Sequence, residues 1–446
     1  MSGQNKDYRQ HFYALADRLQ HSLQGSEGFT LWLQGETSDF VRFNHGKVRQ
    51  AGQVSQAYLT VRLVQGQKHI SQTVVLGGNV DDHAMLGAVV GELRTALADV
   101  AEDPHLLLSE TVQSTESHEP NQLPSSEEMV ADIVSAANGS DLVGILAAGP
   151  VCYGFANHLG QRNWHETANW NFDWSIYSHG DKAVKRGSAG LAWDKAALAA
   201  AVAEARSQVE LLARPVKSLT PGNYRTYLTP SALGELVNML NWGGFSEKAL
   251  RTKRSPILKM SEGEAQLSSM VHIAEDIKGG LAPAFQPEGF IKPDQIQLVQ
   301  GGKLAGSLVS PRTAKEYGVA SNGAGAGEGS ESMSIAGGQL PSADVLKALD
   351  TGLYVGNLWY LNFSDRAACR ITGMTRFACF WVENGEIVAP LNVMRFDDTM
   401  YRMLGSELEA LTQETEFQAD AGSYGSRNSA SQRLPGALIK DMRLVL

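Results

Sequence analysis

Two blocks of short β-forming runs constrain the fold of this chain most strongly. They span residues 29–76 and 353–394, and each contains a tight-turn signal. The signals are Asn44-His45-Gly46-Lys47 in the first block and Glu383-Asn384-Gly385-Glu386 in the second. Helical periodicity lies outside both blocks, at 6–24, 81–100, 126–138, 194–213 and 342–350. Strands and helices grouped in this way predict an α+β fold.

Proline and glycine residues near 215–224 predict a boundary between two domains. We expect residues 1–218 to form an N-terminal β-meander and helix domain. Residues 219–446 are then a β-dense C-terminal domain with flanking helices. In the second domain, Thr229 is a candidate N-cap and Pro230 stands at the first position of a predicted helix that ends near Trp242.

Composition excludes several classes of function. The chain has 446 residues, 43% hydrophobic, and carries 38 Lys and Arg against 48 Asp and Glu, a formal charge of −10. This balance argues against nucleic-acid binding and against a polybasic membrane surface. No apolar run is long enough to span a bilayer, and the N-terminus lacks the apolar core of a signal peptide. Three scattered cysteines fit a reducing compartment, so we expect a cytoplasmic protein.

Motifs for metal binding or nucleophilic catalysis are incomplete. His165-Glu166 begins a zincin-like motif, but Asn169 and Trp170 stand where the second histidine would be needed. His158 lies seven residues before His165 (165 − 158), which is not a helical ligand spacing. No G-x-S-x-G elbow is present. The cysteines at 152, 369 and 379 favour small buried side chains over reactive thiols.

Two further segments each allow two interpretations. The glycine-rich run 318–338 matches no phosphate-binding pattern and predicts a flexible loop, with a role as a lid over a substrate as the alternative. Within the second β-block, Arg370 and Thr372 have the same parity, and Arg376 follows on the same run. These residues form either an arginine ladder on a solvated sheet face or a groove that binds an extended peptide.

The order of these motifs resembles the TldD/PmbA family, in which PmbA is also called TldE. A Leu-Thr-Pro helix start, a glycine-rich loop, the GLYV and ITG motifs and a Val-Glu-Asn-Gly-Glu-Ile hairpin occur in the same sequence. The resemblance is strongest over 223–446 and weaker over 29–100. Members of this family were once described as modulators of DNA gyrase and are now regarded as peptidases. The aromatic-rich segment 358–381 departs from the usual PmbA pattern.

The resemblance also implies which positions form the family's zinc site. In the TldD type, a helical H-E-x-x-x-H and a cysteine near the C-terminus bind zinc. On the matched helix, Gly234 takes the first ligand position, Glu235 keeps the glutamate, and Met239 takes the second ligand position. Tyr424 is the best match for the cysteine. Glycine, a thioether and a neutral phenol are poor zinc ligands, so no metal or other cofactor is expected.

These features predict a metal-less, PmbA-type subunit of a proteolytic complex. The resemblance implies a non-catalytic subunit that binds unfolded peptides and pairs with a TldD-type subunit or with a second copy of itself. Arg370, Thr372 and Arg376 are the predicted peptide-binding residues. Two alternatives remain: an active hydrolase with an unrecognised site, such as His158, His165 and Glu166, and a scaffold outside proteolysis.

Overall fold

The computed structural model describes residues 8–118 and 120–445. Mixed strands and helices form two large sheets, which confirms the predicted α+β class. The described residues contain no helix long and apolar enough to cross a membrane. The placement of the domain boundary stays a prediction.

Seven strands from the first half of the chain form the first sheet. They are β1 (Gly28–Asn44), β2 (Lys47–Gln65), β3 (Lys68–Val75), β4 (Thr115–His118), β5 (Asp141–Asn157), β6 (Arg162–Tyr177) and β7 (Ala183–Gly190). Their order is β3-β2-β1-β5-β6-β4, and β7 also pairs with β6. The predicted turn joins β1 to β2, where His45 and Gly46 have φ of 51° and 67°. Two positive φ values are typical of a type I′ turn, so the hairpin is confirmed.

Four helices accompany the first sheet: α1 (Tyr8–Ser22), α2 (Asp81–Leu97), α3 (Ser126–Ala137) and α4 (Lys195–Leu212). Residues 6 and 7 of the predicted first helix lie outside the described residues. Leu31 and Leu33 of β1 join the buried core beneath α1 and α2. Trp32, between them, points to the opposite face and packs with Phe285 of the second half. The two faces of β1 therefore contact different parts of the molecule.

Eleven strands from the second half form the second sheet. They are β8 (Gly222–Leu228), β9 (Ile273–Glu275), β10 (Ile296–Gln300), β11 (Lys303–Leu304), β12 (Ser332–Ile335), β13 (Gly352–Asp365), β14 (Arg370–Glu383), β15 (Glu386–Pro390), β16 (Arg395–Thr399), β17 (Leu408–Ala419) and β18 (Ser431–Leu444). The pairings β8-β13-β14-β16-β18 return to β8, so these five strands close into a ring. Strand β18 also pairs with β12 and β17. The last strand of the chain thus joins most of the second sheet.

Five helices belong to the second half: α5 (Pro230–Asn238), α6 (Glu247–Arg251), α7 (Leu258–Ser261), α8 (Pro311–Tyr317) and α9 (Val345–Leu349). The Thr229 hydroxyl accepts a hydrogen bond from the Ala232 amide, and Pro230 occupies the first turn, as predicted. Helix α5 ends at Asn238, and residues 239–241 form a single 3₁₀ turn. The helix is therefore shorter than the predicted span to Trp242.

The glycine-rich run 318–338 is held by hydrogen bonds and is not the flexible loop predicted from its composition. The buried Glu328 carboxylate accepts hydrogen bonds from the Ser246 hydroxyl at 2.5 Å, the Lys248 amide at 3.0 Å and the Ser310 amide at 2.8 Å. Residues 332–335 form β12, which pairs with β9 and β18. A lid role for this segment stays a prediction.

Candidate functional site

A cavity of about 340 Å³, which we call the central cavity, lies between the two halves of the chain. Strands β6 and β7 form one wall, and α5, β17 and β18 contribute to the other. Six amide side chains line it: Asn171, Asn238, Asn241, Asn357, Gln418 and Gln432. Each primary amide offers two N–H donors and a carbonyl acceptor, the partners of a peptide C=O and N–H. The chemistry of the cavity is therefore suited to an extended polypeptide.

Helix α5 presents one polar face to the central cavity. Residues 231, 234, 235 and 238 line the cavity and recur at helical spacing. The intervening Leu233, Leu236 and Val237 are fully buried in the core of the second half. The Thr229 cap and Pro230 fix where the helix starts, and so they fix which side chains face the cavity.

Glu235 lies on this polar face with an unpaired carboxylate. Among the residues that the structure describes, no hydrogen bond or ion pair engages it. Its surroundings raise its pKa, chiefly because burial disfavours the charged form, while Lys185 opposes the shift and Asp173 adds to it. The Lys185 ammonium lies 3.4 Å from the Asp173 carboxylate on the neighbouring strand. Glu235 is thus a free hydrogen-bond acceptor, or a donor when protonated.

Gly234 leaves no room for a ligand side chain. An added Cβ would lie 2.6 Å from Gln432 Nε2 and 2.9 Å from Gln418 Oε1. These two atoms form a hydrogen bond of 2.7 Å in which Gln432 donates to Gln418. Two hydrogen-bonded amide side chains therefore fill the space that a side chain at position 234 would enter.

The other two family positions do not line the central cavity. The Met239 side chain is 4% exposed and belongs to the hydrophobic core of the second half. It lies at the start of the 3₁₀ turn, whereas Asn238, one residue earlier, faces the cavity. Tyr424 is fully exposed on the segment 420–430. The structure brings Gly234 and Glu235 together but places Met239 and Tyr424 elsewhere.

The donor set does not fit the zinc of the family's active members. The described residues contain no group of three His, Cys, Asp or Glu side chains that could hold a metal ion. His158 packs over Gly28, and His165 Nε2 lies 3.0 Å from the Leu281 carbonyl. Glu166 accepts a hydrogen bond from Trp164 Nε1 at 3.3 Å. Each of these three candidate residues therefore makes a separate contact, and the three do not form one metal site.

The predicted peptide-binding residues on β14 lie outside the central cavity. Arg370 Nη1 donates to Asp397 Oδ1 at 3.3 Å, and the Thr372 hydroxyl donates to the Phe396 carbonyl. Arg376 lies 3.6 Å from Asp181. Over 370–374, β14 is paired with β13 on one side and β16 on the other. A peptide cannot add as a further strand at this position, so any peptide binding by these residues would need their side chains alone.

The segment 420–430 ties the second half to the first sheet. The buried Arg427 guanidinium donates to the Ser38 hydroxyl at 3.2 Å, the Gly149 carbonyl at 3.1 Å and the Asn169 carbonyl at 3.1 Å. Burial lowers its pKa to about 10, against the opposing effect of Glu36. The Asn171 amide donates to the Asp420 carbonyl at 3.3 Å, at the edge of the central cavity. Arg427 thereby positions one wall of the cavity.

The cysteines are not candidates for nucleophilic chemistry. All three are buried free thiols. Burial raises the pKa of Cys369 to about 12, raises that of Cys379, and, together with Glu166, raises that of Cys152. A thiol with a raised pKa carries little thiolate at neutral pH. This agrees with the prediction from their apolar sequence surroundings.

The cavity-lining amides are the residues that sequence reasoning missed. They come from β6, α5, the turn after it, β13, β17 and β18, which are far apart in the chain. Single Asn and Gln residues in separate segments carry no spacing signal. The one exception is Asn238 and Asn241, whose helical spacing at the end of the predicted helix could have placed them on one face.

Comparisons with known proteins agree with the resemblance. Residues 221–445 match the family described as the PmbA/TldA metallopeptidase C-terminal domain. TldE from Thermococcus kodakarensis has a similar structure, with a TM-score of 0.81 at 16% identity over 98% of this chain and 100% of that one. A putative modulator of DNA gyrase from Bacteroides thetaiotaomicron gives 0.76 at 15% identity, over 99% and 100%. A second such protein, from Thermotoga maritima, gives 0.75 at 14% identity, also over 99% and 100%. No curated protein matches.

Proposed function

Since this chain belongs to the PmbA/TldD metallopeptidase family, we propose that it is a peptide-binding subunit of a proteolytic complex, without metal-dependent catalysis of its own. Its substrate is an unfolded peptide in extended form. Its partner is a TldD-type subunit, or a second copy of this chain where no such subunit is present. This subunit holds the peptide while the partner supplies the zinc chemistry.

One observation carries the proposal: the cavity at the family's catalytic helix is lined by amides and lacks a metal-binding donor set. Metallopeptidase catalysis needs a metal to polarise the scissile carbonyl and to lower the pKa of water. Glu235 could accept a proton but cannot supply either effect. The hydrogen-bonded pair Gln418 and Gln432 fills the place of the first ligand. These side chains support binding without hydrolysis.

The amides suit a substrate recognised by its backbone. An unfolded chain presents unpaired C=O and N–H groups along its length, and a peptide without fixed side-chain contacts binds through them. Asn238 and Asn241 lie on one wall and Asn171 on the other, so the cavity can contact both edges of an extended chain. Backbone recognition fits a subunit that accepts many sequences.

Peptide binding is tested by fluorescence anisotropy with a labelled, unfolded peptide and the isolated chain. We expect saturable binding, and a loss of at least about tenfold in affinity for Asn238→Trp, because the indole fills the cavity. Asn223→Trp, at an exposed asparagine of β8, is the matched control. Equal affinity of both variants and wild type would show that the peptide does not occupy this cavity.

Metal content and cleavage test the second part of the proposal. Protein purified without a histidine tag should contain no stoichiometric zinc and should leave the labelled peptide intact. Native mass spectrometry after mixing with a TldD-type subunit should show a complex that cleaves the peptide. Chelator-sensitive cleavage by the isolated chain would instead favour an enzyme in its own right.

A further inference from the structure

A second cavity, which we call the side cavity, adjoins the central one. It has a volume of about 510 Å³ and lies between α4, the start of α5, residues 342–346 and β17. Arg186 of β7 lines both cavities. A peptide that occupies the central cavity could therefore place one of its side chains in the side cavity.

The charged groups of the side cavity leave one carboxylate without a partner. Arg186 Nη2 donates to Glu204 at 2.6 Å, and the Glu414 carboxylate accepts hydrogen bonds from the Ser342 amide and hydroxyl, both at 2.8 Å. The Glu416 carboxylate makes no hydrogen bond or ion pair within the described part of the chain. The cavity thus has three carboxylates against one guanidinium, and the unpaired carboxylate is the one on β17.

A tyrosine in the cavity wall points to a ligand independently of the charges. Tyr227 is 5% exposed and lines the side cavity, and its hydroxyl has no hydrogen-bond partner among the described residues. Its ring lies 5.5 Å from that of Tyr354, with the two planes tilted by 44°. Because it lines the cavity without a partner, this hydroxyl is available to hydrogen-bond a polar group of a ligand.

The residues that line the side cavity are suited to a ligand with a cationic group at the end of an apolar chain. Tyrosine faces attract a cation through the ring quadrupole, and the Glu416 carboxylate attracts it by charge. Leu211, Val345 and Ile387 provide apolar surface for a methylene chain. An anionic ligand would meet three carboxylates, and a neutral apolar one would leave Glu416 and Tyr227 unpaired.

We propose that the side cavity binds a basic side chain, lysine or arginine, of the peptide held in the central cavity. This inference rests on the proposed function and adds a preference to it. The subunit would then bind unfolded peptides through backbone amides and favour those with a correctly placed cationic residue.

Two labelled peptides that differ at one position test the inference. One carries lysine and the other norleucine, which keeps the methylene chain and removes the charge. For wild type we expect about tenfold weaker binding of the norleucine peptide, measured by anisotropy at physiological salt. For Glu416→Gln we expect the same affinity for both peptides. Glu386→Gln, an exposed glutamate on β15, controls for the loss of one negative charge and should keep the tenfold preference.

The outcomes separate the two proposals. Equal affinity of wild type for both peptides, at every position of the lysine along the peptide, overturns this inference and leaves the proposed function intact. A preference for lysine that persists in Glu416→Gln also overturns it. A failure of wild type to bind either peptide overturns the proposed function and this inference with it.

Discussion

Two carboxylates of the second half, the buried Glu275 and the solvent-exposed Glu235, differ in their hydrogen bonding. Glu275 of β9 is 3% exposed, and its carboxylate accepts hydrogen bonds from the Ser330 hydroxyl, the Glu331 amide at 2.9 Å and the Ser332 amide at 3.2 Å. Glu235 of α5 faces the central cavity and has none. Burial raises the pKa of both groups.

The difference separates a structural polar group from one available to a ligand. The donors around Glu275 belong to the end of the glycine-rich run, so this carboxylate fixes that segment to β9. Glu235 makes no such hydrogen bond to any residue that the structure describes. A burial-raised pKa is common to both, so hydrogen bonding rather than titration distinguishes their roles.

Among the substitutions that test this comparison, removal of the Glu275 carboxylate should change the free energy of unfolding most. Glu275→Ala leaves a hydroxyl and two backbone amides without an acceptor in a buried site, and we expect a loss of about 3 kcal/mol in the free energy of unfolding. Urea denaturation gives the value. Glu275→Gln keeps one carbonyl acceptor and should lose less. A loss of less than about 1 kcal/mol for the alanine variant would mean that this network does not hold the loop.

The next largest effect is the energetic coupling between position 234 and the hydrogen-bonded pair Gln418 and Gln432. Gly234→Ala gains about 1 kcal/mol of helix propensity but displaces Gln432 from Gln418, so we expect almost no net change. In a background that carries both Gln418→Ala and Gln432→Ala, where the two closest atoms are gone, the same substitution should stabilise by about 1 kcal/mol. Urea denaturation of the four proteins of this cycle gives the coupling. Additive effects would show that position 234 has room for a side chain.

Glu235→Ala should change stability very little. No partner within the described residues loses a hydrogen bond, so we expect the free energy of unfolding to stay within about 0.5 kcal/mol of wild type. The same urea experiment used for Glu275 measures it. A loss comparable to that of Glu275→Ala would contradict the distinction between the two carboxylates.

The smallest expected effect is the pH dependence of Glu235→Gln. The pKa of Glu235 is raised in the folded chain from its ordinary 4.5, so folding favours the protonated form. That favourable contribution is complete below the unfolded pKa and is lost as the pH rises through the folded pKa. The glutamine variant should therefore gain stability relative to wild type as the pH rises above the ordinary pKa of 4.5. Urea midpoints at several pH values test this, and Glu386→Gln serves as the control.

Local signals predicted the turns and caps of the fold well. The Asn384-Gly385 turn forms with φ of 54° and 78°, and Thr229 caps α5 by accepting from the Ala232 amide. Each feature depends on residues within four positions of one another. The ring of five strands depends on pairings such as that of Ala437 with Leu228, which no local pattern encodes.

The candidate site was predicted only in part for the same reason. Gly234 and Glu235 were identified through the family resemblance, which matches a helix with a recognisable start in this sequence. Met239 lies in the core because the helix tightens into a 3₁₀ turn there, which leaves Asn238 on the cavity side. The order of the glycine-rich run was missed because the partners of Glu328 lie up to 82 positions away. The composition of such a segment does not reveal the hydrogen bonds that it makes with residues far away in the sequence.

The long sequence separation between β8 and its partner β18 has a consequence for biosynthesis. Strands β8, β12, β16 and β17 each pair with β18, which spans residues 431–444. They cannot form these pairings until β18 has been synthesised. A ribosome that has released the first sheet still has more than two hundred residues to translate before the second can close. We expect nascent chains to leave the backbone edge of β8 that pairs with β18 open until β18 has been synthesised, and to need chaperone protection during that interval.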